Sequence, residues 1–346
     1  MQLIDISIDL VCALCRLLRP VAVPIVLFYC LAPVCMWLFP VVHNIMVFMY
    51  PAKWPFNNYS DLRRMGVLTR GRSFKLTVKK GITVGLWHIL PKSLNGSVPR
   101  SALKQDSDWD ALLGSEGARI CLYLHGNSGT RAQINRVNTY NVLAGQNFHV
   151  VIMDYRGFAD STGWPSEAGV IEDALFVYRW LKEKAKENPV FLWGHSLGTG
   201  IGTAVLAELG GSSGCDGLIL EAPFNNLAEV IRHHPLSQFY AWWMPPDLFD
   251  RVFVDPCTRQ GLCMNTEERI ASVPCPILIL HAEDDHVVPF KLAKALESRA
   301  RQAGRDVSFV EFEREHGYGH VWIHSAPELA DIIYEFVQRC LAQAKL

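Results

Sequence analysis

The chain has 346 residues, 50% of them hydrophobic, and sets 33 Lys and Arg against 34 Asp and Glu for a net charge of −1. That balance leaves no basic stripe and no reason to expect nucleic acid as a partner. The length suits one large domain with an appendage and is enough to bury a substantial core.

The hydrophobic excess is concentrated at the front. From Val21 to Tyr50 there is no Asp, Glu, Lys or Arg, and His43 and Asn44 are the strongly polar residues. About 20 apolar residues cross a bilayer as a helix, so this run is long enough to cross and continue along the interface. Pro24, Pro33 and Pro40 make such a helix irregular, which membrane segments tolerate. A signal peptide would instead show a short apolar region and a small-residue cleavage site; a buried core hairpin is the other competing reading. The expected division is an N-terminal tail over 1–20, a membrane anchor over 21–50, a linker over 51–72 and a catalytic domain over 73–346. Arg16 and Arg19 precede the run while Lys53, Arg63, Arg64, Arg70 and Arg72 follow it, so the flanking charges do not fix its orientation. Sequons at Asn58 and Asn95 are usable in a lumenal domain. Of ten cysteines, Cys257 and Cys263 share a polar loop and are the pair open to oxidation in a suitable compartment. Cys121 and Cys275 read as core, and no Cys/His set has zinc-ligand spacing.

Beyond the linker the pattern alternates. FKLTVK (74–79) and ITVGLWHIL (82–90) read as a hairpin around Lys-Gly. A polar loop is expected over 91–118. Short apolar runs at 119–125, 148–154, 189–193, 217–222, 276–282 and 307–312 read as buried strands. Helical patterns at 133–143, 167–186, 197–209, 292–302 and 326–344 separate them or follow the last. Buried strands alternating with helices give an α/β fold, a mostly parallel sheet covered on both faces. One stretch, 225–275, breaks the rhythm with no strand and with HHPLSQFYAWWMPPDLFDRVF, rich in aromatics and prolines. An insertion of that length between strands is a cap rather than an idle loop. Phe239, Tyr240, Trp242, Trp243 and Met244 then either form the cap's own core, line an acyl groove or touch a membrane.

The chemistry is carried by order and spacing. Gly194-His195-Ser196-Leu197-Gly198 sits between the 189–193 strand and a helical run. There it fits a nucleophile elbow, a turn so sharp that the serine's neighbours must lack bulk. A serine hydroxyl needs a base, and this architecture places an acid and then a histidine at later strand ends. EDDHVVP offers Glu283, Asp284 and Asp285; EHGYGHVWIH offers His316, His320 and His324. HGNSG (125–129) after an early strand supplies a second oxyanion donor, the Asn127 N–H, beside that of Leu197. His125 is expected to order that loop.

With these pieces in place the chain resembles serine hydrolases of the α/β-hydrolase superfamily, and within it the α/β-hydrolase-domain-containing protein 12 family of membrane-bound lipases. The match is carried by ITVGLWHILP (82–91), LYLHGNSGTRA (122–132), DYRGFADSTGWPSEAG (154–169), WGHSLGTG (193–200), LILEAPFNN (218–226), LILHAEDDHVVPF (278–290) and GYGHVWIHSAPEL (317–329). The resemblance implies a triad of Ser196, Asp285 and His320, with His316 as the runner-up base. It implies hydrolysis of lysophosphatidylserine and monoacylglycerol esters, no metal or cofactor and no obligate protein partner. It also implies residence in the endoplasmic reticulum membrane as a single-pass protein, its catalytic domain in the lumen. Two positions depart from the family pattern: Ala159 replaces a glycine of the DYRGxGDS loop, and Gly319 replaces a basic residue beside the histidine. The competing functions are a protein depalmitoylase, using the same triad from the cytosol, and a non-catalytic membrane-tethered scaffold.

Overall fold

The computed structural model describes residues 19–344 apart from 21, 22, 25, 26, 28, 40 and 54–57. The expected tail over 1–20 therefore lies almost wholly outside the described residues, and part of the expected anchor does too.

Eight strands form one sheet: β1 (Gly71–Lys79), β2 (Ile82–Ile89), β3 (Arg119–Leu124), β4 (Phe148–Asp154), β5 (Val190–His195), β6 (Gly217–Glu221), β7 (Ile277–Ala282) and β8 (Val307–Phe312). Their spatial order is β1-β2-β4-β3-β5-β6-β7-β8. β2 runs antiparallel to both neighbours, and every pairing from β4 to β8 is parallel. Such a sheet must be covered on both sides, which is why these strands read as unbroken apolar runs. The alternation survives inside them. Leu122, Val151, Leu192, Leu220 and Ile279 pack on one face, against α5 (Glu167–Ala185), α6 (Leu197–Leu209) and α12 (Phe290–Gln302). Tyr123, Ile152, Trp193, Ile219 and Leu280 pack on the other, against α4 (Ile134–Gly145) and α13 (Leu329–Gln343). This is the α/β-hydrolase fold, and it carries the carboxyl ends of β3, β5, β7 and β8 to a common edge.

The stretch expected as loop over 91–118 contains a helix, α3 (Asp106–Leu113). It buries little beyond Leu113, so its sequence has no apolar stripe to betray it. It is held by polar contacts and one ring: Asp108 accepts the Gln105 N–H at 2.9 Å, Asp106 pairs with Arg72 at 2.8 Å, and Trp109 lies edge-on to His88 with centroids 5.7 Å apart. The sheet also starts earlier than expected, at Gly71, and Leu62 and Val67 of the stretch before it are core residues.

Between β6 and β7 the chain forms short helices and no strand: α7 (Leu227–His233), α8 (Pro235–Ala241), α9 (Pro246–Phe249), α10 (Asp255–Arg259) and α11 (Thr266–Arg269). Tyr240, Met244, Phe249 and Phe253 make a small core of their own together with Met36. Phe239, Trp242 and Trp243 point outward, Trp242 being 87% exposed. The aromatic cluster thus divides, part core and part surface. Cys257 and Cys263 are both free thiols.

Met36 belongs to α1 (Tyr29–Leu38), which meets α2 (Val41–Phe48) at a bend of 114°. Among the described residues no single helix is long and apolar enough to cross a membrane, although this bent pair passes that test by length and composition. Tyr29 packs on Phe239 and Tyr240 with ring centroids 4.6 and 5.7 Å apart, and its carbonyl accepts the Tyr240 hydroxyl at 2.9 Å. Nε2 of His43 lies 3.2 Å from the Val252 carbonyl, and Phe48 is fully buried in the main core.

Candidate active site

Ser196 sits between β5 and α6 with φ 51° and ψ −117°, a backbone state that L-residues adopt only where the surroundings enforce it. The enforcement is visible at its flanking glycines. A Cβ on Gly194 would fall 2.5 Å from the Gly198 carbonyl, and one on Gly198 would fall 2.0 Å from that of Leu124. The Ser196 N–H is held by the Glu221 carbonyl at 2.9 Å. Leu197 opens α6, so its own N–H has no acceptor within the helix.

Of the candidate bases, His320 reaches the serine, its Nε2 standing 2.9 Å from Ser196 Oγ. Its Nδ1 lies 2.7 Å from Asp285 Oδ2. The other Asp285 oxygen accepts the N–H groups of Val287 and Val288 at 2.8 and 2.9 Å. Burial alone would raise the Asp285 pKa, but the His320 charge and the hydrogen bonds from His281 and His320 outweigh it and hold the carboxyl well below the usual range. An ionised Asp285 fixes the proton of His320 on Nδ1, which leaves Nε2 free to accept the serine proton. His316 is exposed and stacked on Tyr318, and His324 stands beside Ser325. Glu283 is exposed. Asp284 serves the site in another way, accepting the Gly319 N–H at 2.9 Å and so tethering the histidine loop.

The HGNSG loop lies directly over Ser196: a Cβ on Gly126 would be 3.2 Å from the Ser196 Cβ. His125 orders this loop, with Nδ1 2.7 Å from the Gly126 carbonyl and Nε2 3.1 Å from Asp154. Arg131 pairs with the same aspartate and with Asp160. The Ser128 and Gly129 N–H groups donate to Phe48 and Ala52 at 3.0 and 2.9 Å. Asn127 N–H has no acceptor among the described residues, as an oxyanion donor requires.

A family model described as serine aminopeptidase, S33, matches residues 116–254. Lysophosphatidylserine lipase ABHD12 of Xenopus tropicalis is 39% identical over 306 residues, covering 86% of this chain and 77% of that protein. The protein of the same name in Mus musculus is 38% identical over 330 residues, covering 92% of this chain and 80% of that one. The chain belongs to the ABHD12 family. It is accordingly a serine hydrolase acting on ester bonds. A solved α/β hydrolase from Vibrio vulnificus, 16% identical, matches with a TM-score of 0.64 over 86% of this chain and 93% of its own; at that identity the likeness concerns the fold alone.

Three further groups complete this ABHD12-family site, and none was legible beforehand. His195 donates from Nε2 to the His320 carbonyl at 3.0 Å. Burial, helped by the His320 charge, takes its pKa down to about 3 and keeps it neutral. His281 Nε2 lies 3.2 Å from Asp285 Oδ2, a second histidine beside His320 on that carboxylate. Glu221 is buried at the end of β6 and accepts the Trp193 indole N–H at 2.9 Å. Burial pushes its carboxyl up to about 7, against the pull of that hydrogen bond and of His320. The ladder between β5 and β6 sets His195 opposite Glu221, and nothing in their sequence spacing separates them from core polar groups.

Proposed function

We propose that this protein is a membrane-associated lipase that removes the single acyl chain of lysophosphatidylserine and of monoacylglycerol. The observation that carries the reading is the hydrogen-bonded line from Ser196 through His320 to Asp285, at 2.9 and 2.7 Å. The head group is inferred from the relatives, which are named lysophosphatidylserine lipases.

In this mechanism Ser196 Oγ attacks the ester carbonyl as His320 Nε2 takes its proton, and Asp285 stabilises the resulting imidazolium. The N–H groups of Asn127 and Leu197 receive the oxyanion. His320 returns the proton to the departing glycerol oxygen, and water then attacks the acyl-enzyme by the same route in reverse.

The charge-free run over 21–50 and the cap support the membrane part. Leu31, Val34, Trp37 and Val41 of α1 and α2 are exposed, as are Trp242 and Trp243 of the cap. Apolar and tryptophan surface of this kind is stable at a lipid interface. We place the anchor in the endoplasmic reticulum membrane with the catalytic domain lumenal, where Asn58 and Asn95 would accept glycans. An endoglycosidase mobility shift, lost on Asn58→Gln with Asn95→Gln, tests that topology; absence of any shift argues for a cytosolic domain.

The chemical test is fatty-acid release, measured by mass spectrometry, from membranes carrying the wild type or Ser196→Ala. Lysophosphatidylserine, monoacylglycerol and a palmitoyl-cysteine peptide are offered side by side. Release from either lipid that disappears in the variant supports the reading. Release from the thioester alone would make the protein a depalmitoylase, and an active Ser196→Ala would remove the serine from the mechanism.

A further inference from the structure

Arg136 stands in the first turns of α4 and is 3% exposed. A guanidinium that deep ordinarily faces a carboxylate, because leaving a buried charge unpaired is strongly unfavourable. Here the neighbouring buried acid, Asp154, is engaged by Arg131 and lies beside His125. The guanidinium of Arg136 turns instead to the loop over the nucleophile. Nη1 donates to the Thr130 carbonyl at 2.8 Å, and Nη2 to those of Ser128, Asn127 and Gly126 at 3.0, 3.2 and 3.3 Å. Four carbonyls of one short loop converge on one cation.

The consequence follows from the planarity of the peptide bond. In a trans peptide the C=O of one residue and the N–H of the next point in opposite directions. Drawing the carbonyls of Gly126, Asn127 and Ser128 to one side therefore drives the N–H groups of Asn127, Ser128 and Gly129 to the other. Those of Ser128 and Gly129 end on Phe48 and Ala52. Asn127 N–H, in the same peptide as the Gly126 carbonyl, is left to face the nucleophile's side of the loop. A planar fork of five N–H donors can gather several carbonyls at once, which a lysine ammonium on a flexible stem does with less fixed geometry. The charge is felt locally: after burial, Arg136 is the largest influence lowering the pKa of His125.

We propose that Arg136 is a positioning residue for the oxyanion hole, acting through the Gly126–Asn127 peptide to hold the Asn127 N–H on the developing negative charge. The proposal rests on the roles given above to Ser196 and Asn127. The test uses the full chain in detergent with Arg136→Lys and Arg136→Gln. Fluorophosphonate titration counts the competent serines, so turnover is expressed per site. Folding is expected to survive, because Val137, Tyr140, Leu143 and Ala144 still anchor α4.

The expected result is a fall in kcat per titrated site on monoacylglycerol of about tenfold or more, with KM nearly unchanged. A long-chain trifluoromethyl ketone, which adds to the serine and places an oxyanion in the hole, should lose affinity by a similar factor. Gln should lose more than Lys. Unchanged kcat per site and unchanged ketone affinity in both variants would overturn the proposal, whatever happened to Tm. Failure of Arg136→Lys to fold would also overturn it, by making the residue a keystone of folding instead. Neither outcome touches the parent reading, which fails separately if Ser196→Ala retains turnover.

Discussion

Around Ser196 the groups that hold the line from serine to carboxylate meet named partners in fixed directions: His320 with Asp285, Asp285 with two backbone N–H groups, His195 with the His320 carbonyl. In the cap, by contrast, the contact with α1 runs largely through rings and thioethers, Tyr29 on Phe239 and Tyr240, and Met36 among Met244, Phe249 and Phe253. Hydrogen bonds weaken steeply with distance and angle, whereas apolar contact depends on area and tolerates rearrangement. The sheet edge should therefore respond to single atoms and the cap to whole side chains. The edge holds the hydrogen-bonded line from Ser196 to Asp285, and the cap holds exposed apolar surface at Trp242 and Trp243.

The largest effects should fall on the edge. Ser196→Ala removes the nucleophile and should lower kcat by at least about 10⁴-fold while leaving the melting temperature close to wild type. Asp285→Asn keeps the shape but no longer fixes the Nδ1 proton of His320, and a loss of about 10⁴-fold in kcat is expected. A loss under tenfold would mean that His281 or another neighbour orients His320 as well as Asp285 does.

A third edge prediction concerns stability. The folded pKa of Glu221 is about 7 against an ordinary 4.5, so the native state holds its proton more tightly than the unfolded chain. The favourable contribution is complete below pH 4.5 and is lost as pH rises to about 7. Glu221→Gln mimics the protonated form. Relative to wild type it should gain about 3 kcal/mol between pH 5 and pH 8, seen as paired denaturant curves that separate as pH rises. Parallel curves would mean that the carboxylate is solvated or paired in the native state.

The cap predictions are smaller. An exposed indole seated in lipid removes on the order of 50 Å² of apolar area from water, about 1 kcal/mol. Trp242→Ser with Trp243→Ser should weaken partition onto lipid vesicles about thirtyfold, with kcat on a soluble short-chain ester unchanged. A fall in the soluble-ester rate would move these rings from the membrane face to the substrate path.

How much of this was readable in the sequence follows the same division. Continuous apolar strands and the glycines around Ser196 are local signals, and they located the sheet, the elbow and the loops after β7 and β8. Choosing Asp285 over Asp284, and His320 over His316, took the family resemblance, because one-residue spacing in a loop carries no direction. Arg136 was illegible for a different reason: it sits six residues beyond Thr130 on an ordinary helix, and only the fold brings it under the 126–130 carbonyls. The cap's internal packing was equally hidden, since Tyr240 and Trp242 look alike in sequence while one is buried and the other is not.

The smallest prediction comes from a departure noted in the sequence. Ala159 lies where the family pattern has glycine, and its φ is +44°, in the left-handed region that a Cβ disfavours. Its carbonyl accepts the Lys53 ammonium at 2.9 Å, so this strained turn also ties down the chain that follows α2. Glycine there would relieve the backbone but loosen the unfolded chain, which partly cancels the gain. Ala159→Gly should therefore raise stability by no more than about 1 kcal/mol, measured by thermal melting, with kcat per titrated site unchanged. A loss of stability would mean that the methyl group of this buried residue contributes more by packing than its backbone strain takes away.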